Sequence, residues 1–187
     1  MDDALRHLVG LHPPLAPRHV GVEEWAGIEM ELGTGLPRDY KTLLATYTGT
    51  APFFGWFDFL RPEGRLEAIE GTTYLRCLRD DLLEDERVYA RQAGKVVADV
   101  RSPIPFPVFP EDGGLFQWGS MPDWVTFHWW QLGPPDTWGV VVAYKWIEEF
   151  HHFPGRTTTQ ILAEIAERGF NGFGTIERMG GRPRNFS

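Results

Sequence analysis

Between Asp123 and Phe153 the chain reads DWVTFHWWQL, TWGVVVAYKW and EEFHHF, three apolar stretches separated by four residues and then by one. Parallel neighbours need a crossover of about a dozen residues or more, so connections this short favour antiparallel strands. Ahead of them, IPFPVFPEDGGLFQWG places turn chemistry at Glu111 to Gly114 between two apolar runs. The prolines of the first run confine it to an edge or extended segment, because each lacks the N–H that a ladder requires. The loop QLGPPDTW fits a hairpin connection: Pro134 and Pro135 restrict the backbone, Asp136 can accept from a nearby backbone N–H, and Trp138 starts a buried strand.

Helical spacing marks the rest. In VEEWAGIEMELG, Val22, Trp25, Ile28 and Leu32 recur on one face, Glu23 and Glu24 favour the N-terminal end, and Gly33 supplies a stop. LPRDYKTLLATY follows, with Pro37 at the first helical position and Tyr40, Leu43, Leu44 and Tyr47 on one side. FFGWFDFL, from Phe53 to Leu60, is too aromatic and too short for a good helix and reads as a strand with a bend at Gly55. A helix is expected from about Thr72 to Gln92, with Leu75, Leu78, Leu82 and Tyr89 as its inner stripe. The segment TTTQILAEIAERG closes the series, with Thr157 and Gln160 at capping-box spacing and Gly169 as a stop. The expectation is an α+β fold, a largely antiparallel sheet of about five to six strands packed with helices, and Trp25, Leu44, Trp138, Val140 and Val142 in its core.

A chain of 187 residues, 42% hydrophobic with 8 tryptophans, can bury one sizeable core and is short for two. Residues 1–20, with Pro13, Pro14 and Pro17, read as an N-terminal extension that can carry a short helix; residues 21–170 form the domain and residues 171–187 a tail. The start MDDALRHLVGLHPP is acidic where a secretory signal is basic, and no run approaches a membrane span, which favours the cytoplasm. The single Cys77 excludes an internal disulfide and a multi-cysteine metal site, and reads as a small core residue. A net charge of -8 disfavours nucleic acid and anionic membranes, which draw affinity from Lys and Arg, and favours a basic partner.

Four blocks together carry a family likeness: WAGIEMELGTGLPRDYKTLLATYTGT, PEDGGLFQWG, GPPDTWGVVV and FHHFPGRTTTQILAEI. The chain from Val22 to Gly169 resembles the SUKH superfamily, the Smi/Knr-like group of fungal cell-wall regulators and bacterial toxin-immunity proteins. Trp25, Ile28, Glu29, Leu32, Gly33, Leu36, Pro37, Tyr40 and Leu44 carry the first block, and Pro135, Asp136 and Trp138 the second. The resemblance implies an α+β fold with a largely antiparallel sheet and a binding protein, and it brings no catalytic set. The stretch Arg178 to Ser187 looks foreign to it.

Candidate chemistry from the residues alone is thin. His151 and His152 are adjacent on a strand and face apart, so they cannot grip one metal ion, and Glu148 and Glu149 fail as a catalytic pair for the same reason. His128, between Phe127 and Trp129, reads as a satisfied interior or edge histidine. Gly119-Ser120 lacks the flanking pattern of a nucleophile elbow, and GFNGFG and MGGR lack the strand and helix of a phosphate cradle. No catalytic residue, metal or cofactor is expected. RDDLLEDER gathers Asp80, Asp81, Glu84 and Asp85 on a helix; with arginines at both ends neutralising part of it, it reads first as a solvated helix face, and it is also the best local acidic patch for a partner. The aromatic run Trp124, Phe127, Trp129 and Trp130 reads mostly as core, although two-sided apolarity leaves at least one ring, Trp129 or Trp130, to an interface if the strand lies near an edge. Asp136 is a secondary partner contact.

These readings favour a non-enzymatic cytoplasmic immunity protein that binds and neutralises a cognate toxin or other basic protein, with a nuclease among the toxins that fit. A regulatory or scaffold module of the same fold is the alternative, and an uncharacterised enzyme the third class.

Overall fold

The computed structural model describes residues 2–14, 22–47, 58–59, 65–96, 102, 104–121, 125–144 and 149–168. Strands β1 (Asp58–Phe59), β2 (Leu115–Met121), β3 (Val125–Trp130), β4 (Gly139–Tyr144) and β5 (Glu149–Phe153) lie side by side in chain order, each antiparallel to the next. This is the meander that the short connections require. Only the last four are full strands; β1 has two residues, and the rest of FFGWFDFL lies outside the described residues. The run IPFPVFP adds no strand, only a parallel bridge from Val108 to Leu115. Its prolines offer no N–H to a second ladder, so the expected count of five to six is reached only by including β1.

The sheet is covered on both faces, which explains the unbroken apolar run in β4. One face presents Phe127, Trp129, Val140, Val142 and Phe153 to helices α1 (Asp3–Leu11), α2 (Val22–Leu32), α3 (Arg38–Thr46) and α5 (Thr158–Arg168). The other presents Leu115, Val141, Ala143 and Phe150 to Leu75 of helix α4 (Arg65–Gln92) and to Ile104, Phe106 and Val108. Trp25, Leu44, Trp138, Val140 and Val142 are all buried, as expected.

The helix ends follow their cap chemistry. Gly33, at φ 68°, ends α2 in the left-handed conformation that glycine adopts without strain, and the Thr34 N–H donates back to the Glu29 carbonyl at 3.2 Å. Pro37 precedes α3 as its N-cap instead of occupying the first helical position. Thr157 and Gln160 form the reciprocal box at α5, with the Thr157 N–H donating to Gln160 Oε1 at 3.1 Å and the Gln160 N–H to Thr157 Oγ1 at 3.3 Å. Gly169, the expected stop, lies outside the described residues.

Three expectations are corrected. The fold does not begin after residue 20: Leu5 and Leu8 of α1 are fully buried in the main core, and the Tyr47 hydroxyl donates to the His12 carbonyl at 2.7 Å. Helix α4 starts at Arg65, well before Thr72, and its inner stripe fails toward the C-terminus, where Tyr89 is 60% exposed. A 28-residue helix is about 42 Å long, whereas the longest strand beneath it, at seven residues, covers about 23 Å, so the helix outruns the sheet. Cys77 lies on the exposed side of α4 and is not a core residue. Among the described residues, no helix is long and apolar enough to cross a membrane.

If α1 belongs to the core, Leu8→Ala should lower the free energy of unfolding by about 2 to 5 kcal/mol, the cost of an apolar cavity. A urea midpoint unchanged from wild type would show α1 to be dispensable.

Candidate protein-binding surface

Helix α4 is held to the sheet near its middle, where Leu75 is buried and the Gln117 N–H of β2 donates to Thr72 Oγ1 at 3.3 Å. Beyond Leu83 every side chain of the helix is exposed except Ala90. At 3.6 residues per turn, Asp80, Asp81, Glu84 and Asp85 occupy roughly 140° of the helix circumference, opposite Leu75, and all four are exposed.

The acidic residues are not equivalent. Arg79, more buried than Arg87 or Arg91, pairs with Asp80 at 3.0 Å and reaches Glu111 of the β2 turn at 2.8 Å. Glu84 is shared by Arg91 at 3.1 Å and Arg87 at 3.7 Å. Among the described residues, Asp81 and Asp85 have no ion pair. One turn apart and both negative, they repel each other mildly and leave their charge available to a partner.

The other expected contacts are placed differently. Trp129 is 1% exposed at the centre of the sheet and its Nε1 donates to Thr158 Oγ1 at 3.0 Å, so it faces the core and not an interface. Trp130, on the opposite face, is half-buried, with its ring edge-on to Phe106 at 5.1 Å and to His152 at 4.7 Å between centroids. Asp136 does not cap its own loop. Its Oδ1 accepts from the Arg38 N–H at 2.7 Å, and Arg38 also pairs with it at 3.0 Å. Asp136 thus tethers the β3–β4 loop to the N-terminus of α3, where Pro37 supplies no side-chain cap. Within the loop, a 3-10 turn at Pro135–Thr137, the hydroxyl of Thr137 closes onto the Pro134 carbonyl at 2.8 Å and Trp138 Nε1 onto the Gly133 carbonyl at 2.9 Å. Nothing in one-dimensional spacing announces a contact 98 residues away. The same holds for Glu29, which accepts from the Leu36 N–H at 2.8 Å and from Lys41 at 2.7 Å and so fixes the α2–α3 turn.

Groups with chemical potential are dispersed. Gly119 and Ser120 lie within β2, paired with Phe127 and Thr126, and not at a strand-to-helix turn. His151 is fully buried, whereas His152 is half-buried on the other side of β5. Among the described residues, no three of His, Cys, Asp and Glu are grouped to hold a metal; Glu148, GFNGFG and MGGR lie outside them. Asp39, pushed above the usual carboxylate range by burial and, more weakly, by the charge of Asp2, accepts from the Thr159 N–H at 3.0 Å at the head of α5. The Thr159 hydroxyl lies 3.1 Å from Asp2 Oδ2 and 3.4 Å from Asp39 Oδ2, so the two carboxylates compete for one proton donor. Both are helix caps, since Asp2 also accepts from the Leu5 N–H at 2.7 Å.

His128 is a buried titratable group that is only partly satisfied. It is 1% exposed; Nε2 meets Thr126 Oγ1 at 2.9 Å, while Nδ1 has no hydrogen-bond partner. Burial pushes its pKa from 6.5 down to about 3. The unfolded chain takes up the proton below pH 6.5 and the folded chain resists it until about 3, so stability is complete above that window and is lost as pH falls through it. At pH 5 this should cost the wild type about 2 kcal/mol. In His128→Gln the acid-dependent part of that loss should disappear; parallel slopes of unfolding free energy against pH for the two proteins would refute the assignment.

The chain matches no protein-family model, no curated protein and no solved structure.

Proposed function

We propose that this chain is a non-enzymatic protein-binding domain of SUKH type, a cytoplasmic immunity protein that neutralises a cognate toxin domain with a basic surface. The observation that carries this reading is the exposed outer face of α4, where Asp81 and Asp85 keep an uncompensated charge beside exposed apolar side chains. A nuclease fits such a surface, because a groove that binds phosphates is cationic and a carboxylate face can occupy it in the substrate's place. The residues that carry the family resemblance are largely interior: Trp25, Ile28, Leu32, Leu36, Tyr40 and Leu44 are buried, and Glu29 locks a turn. They speak for the fold, so partner choice falls to the surface.

The rival surface at Trp129 and Trp130 loses support from geometry, since one ring is core and the other is packed on Phe106 and His152. The deciding measurement is the association rate of the native partner, captured from the source cell, with wild type and with Asp81→Lys/Asp85→Lys. At low salt the variant should associate slower by about tenfold or more, and the two rates should converge at high salt. Its stability should stay within about 0.5 kcal/mol of wild type, because both sites are exposed. Equal association rates at low salt would remove the acidic face from the interface.

A further inference from the structure

We infer that the outer seam of α4 docks an amphipathic helix of another protein, one that brings two cationic side chains to Asp81 and Asp85 and apolar side chains to either end. This rests on the protein-binding reading above and specifies the partner's element. Tyr74, Leu78, Asp81, Asp85, Val88 and Gln92 follow one another at alternating steps of four and three residues. That is the spacing at which a helix keeps one stripe turned toward a helical partner. Tyr74 is 54% and Val88 39% exposed, both aspartates are exposed, and Leu78 is half-buried. Tyr89, 60% exposed, widens the apolar end beyond the aspartates. From Tyr74 to Gln92 the seam runs about 27 Å, five turns of helix, in the order apolar, acidic, apolar.

Charge selects the occupant. Of the arginines on the same helix, Arg79 is committed to Asp80 and Glu111, and Arg87 and Arg91 to Glu84, and among the described residues none pairs with the seam carboxylates. A second copy of the chain is excluded by the same pair. An antiparallel copy centred on the seam sets Asp81 against Asp85, and a parallel copy sets each aspartate against itself, so either arrangement places like charges in contact. An anionic lipid surface is repelled for the same reason. A helix with Lys or Arg at two positions one turn apart, flanked by apolar residues, satisfies the charge and covers Tyr74, Leu78 and Val88 at once.

The test uses the full-length chain and a synthetic helical peptide with leucines along one face and two central lysines opposite the aspartates. A peptide of identical composition, with the lysines moved to the far face, is the control for bulk charge. Saturable binding with amide shifts confined to Tyr74–Gln92 is expected, weaker for the rearranged peptide. Affinity should fall by about tenfold or more in Asp81→Lys/Asp85→Lys. The milder Asp81→Asn/Asp85→Asn, which should also bind more weakly, serves if the reversed variant does not keep wild-type circular dichroism and melting. Equal affinity for the two peptides, shifts mapping elsewhere, or concentration-dependent dimerisation through α4 would overturn the inference. A native partner that protects a different surface from hydrogen exchange, together with no peptide binding in the seam, would also overturn it, while leaving the protein-binding reading intact. Peptide binding in the seam with a native partner indifferent to charge reversal would uphold the seam and sink the proposed immunity interface.

Discussion

Trp129 is the side chain around which the main core is arranged. Its ring lies 4.7 Å from Tyr40, 5.9 Å from Trp118, 6.0 Å from Phe116 and 6.0 Å from Trp138 between centroids, so one residue of β3 touches β2, the start of β4 and α3. Its indole N–H cannot be left unpaired at such depth, and the hydroxyl of Thr158 receives it. That single bond fixes where α5 starts relative to the sheet. Asp39 then receives the next N–H of α5, from Thr159, and holds α3 to the same point. Asp136 in turn receives the N–H of Arg38, bringing the β3–β4 loop to the other end of the cluster. The helices on this face are thus positioned by a few polar bonds anchored on an aromatic centre, with apolar packing filling the space between.

How much of this was legible follows from the range of each interaction. The antiparallel meander was readable because strand spacing and loop length are local, and α2, α3 and α5 because their stripes and caps fall within a dozen residues. The capping box of Thr157 and Gln160 needs nothing beyond itself. The membership of α1 in the core was not readable: its prolines at 13, 14 and 17 suggested a detached segment, while its partner, α5, comes from the other end of the chain. The register of Trp129 and Trp130 was equally hidden. Alternation places them on opposite faces, but which is covered by four helices and which by α4 and a proline-rich segment depends on tertiary contacts. The acidic cluster was visible as a cluster. Its division into paired and unpaired carboxylates depended on Arg79 reaching Glu111 across the fold.

Two buried titratable groups respond to pH in opposite senses. Asp39, raised mainly by its burial, contributes most below the usual carboxylate range and loses that contribution as pH rises. His128, lowered by burial on the α4 side, does the reverse, losing stability as pH falls below 6.5. Asp39 accepts from both the N–H and the hydroxyl of Thr159, so its ionised form keeps hydrogen-bond donors; His128 has one partner and no opposing charge acting on it. His128 thus makes the α4 face acid-sensitive, and that face is also the side fastened by fewer elements.

That asymmetry bears on how much the exposed surface of α4 can vary without weakening the fold. The part of α4 beyond Leu83 buries little apart from Ala90, and its acidic side chains are exposed. Substitutions there exchange one solvated group for another, and such changes move stability by only about half a kcal/mol. The half of the helix that packs, around Thr72 and Leu75, holds the rod in place. The half that projects can take almost any charge pattern at small energetic cost. A helix longer than its sheet separates the residues that must be apolar for folding from those free to match a partner. Of the acidic cluster on this helix, Asp81 and Asp85 are the carboxylates without an ion pair among the described residues.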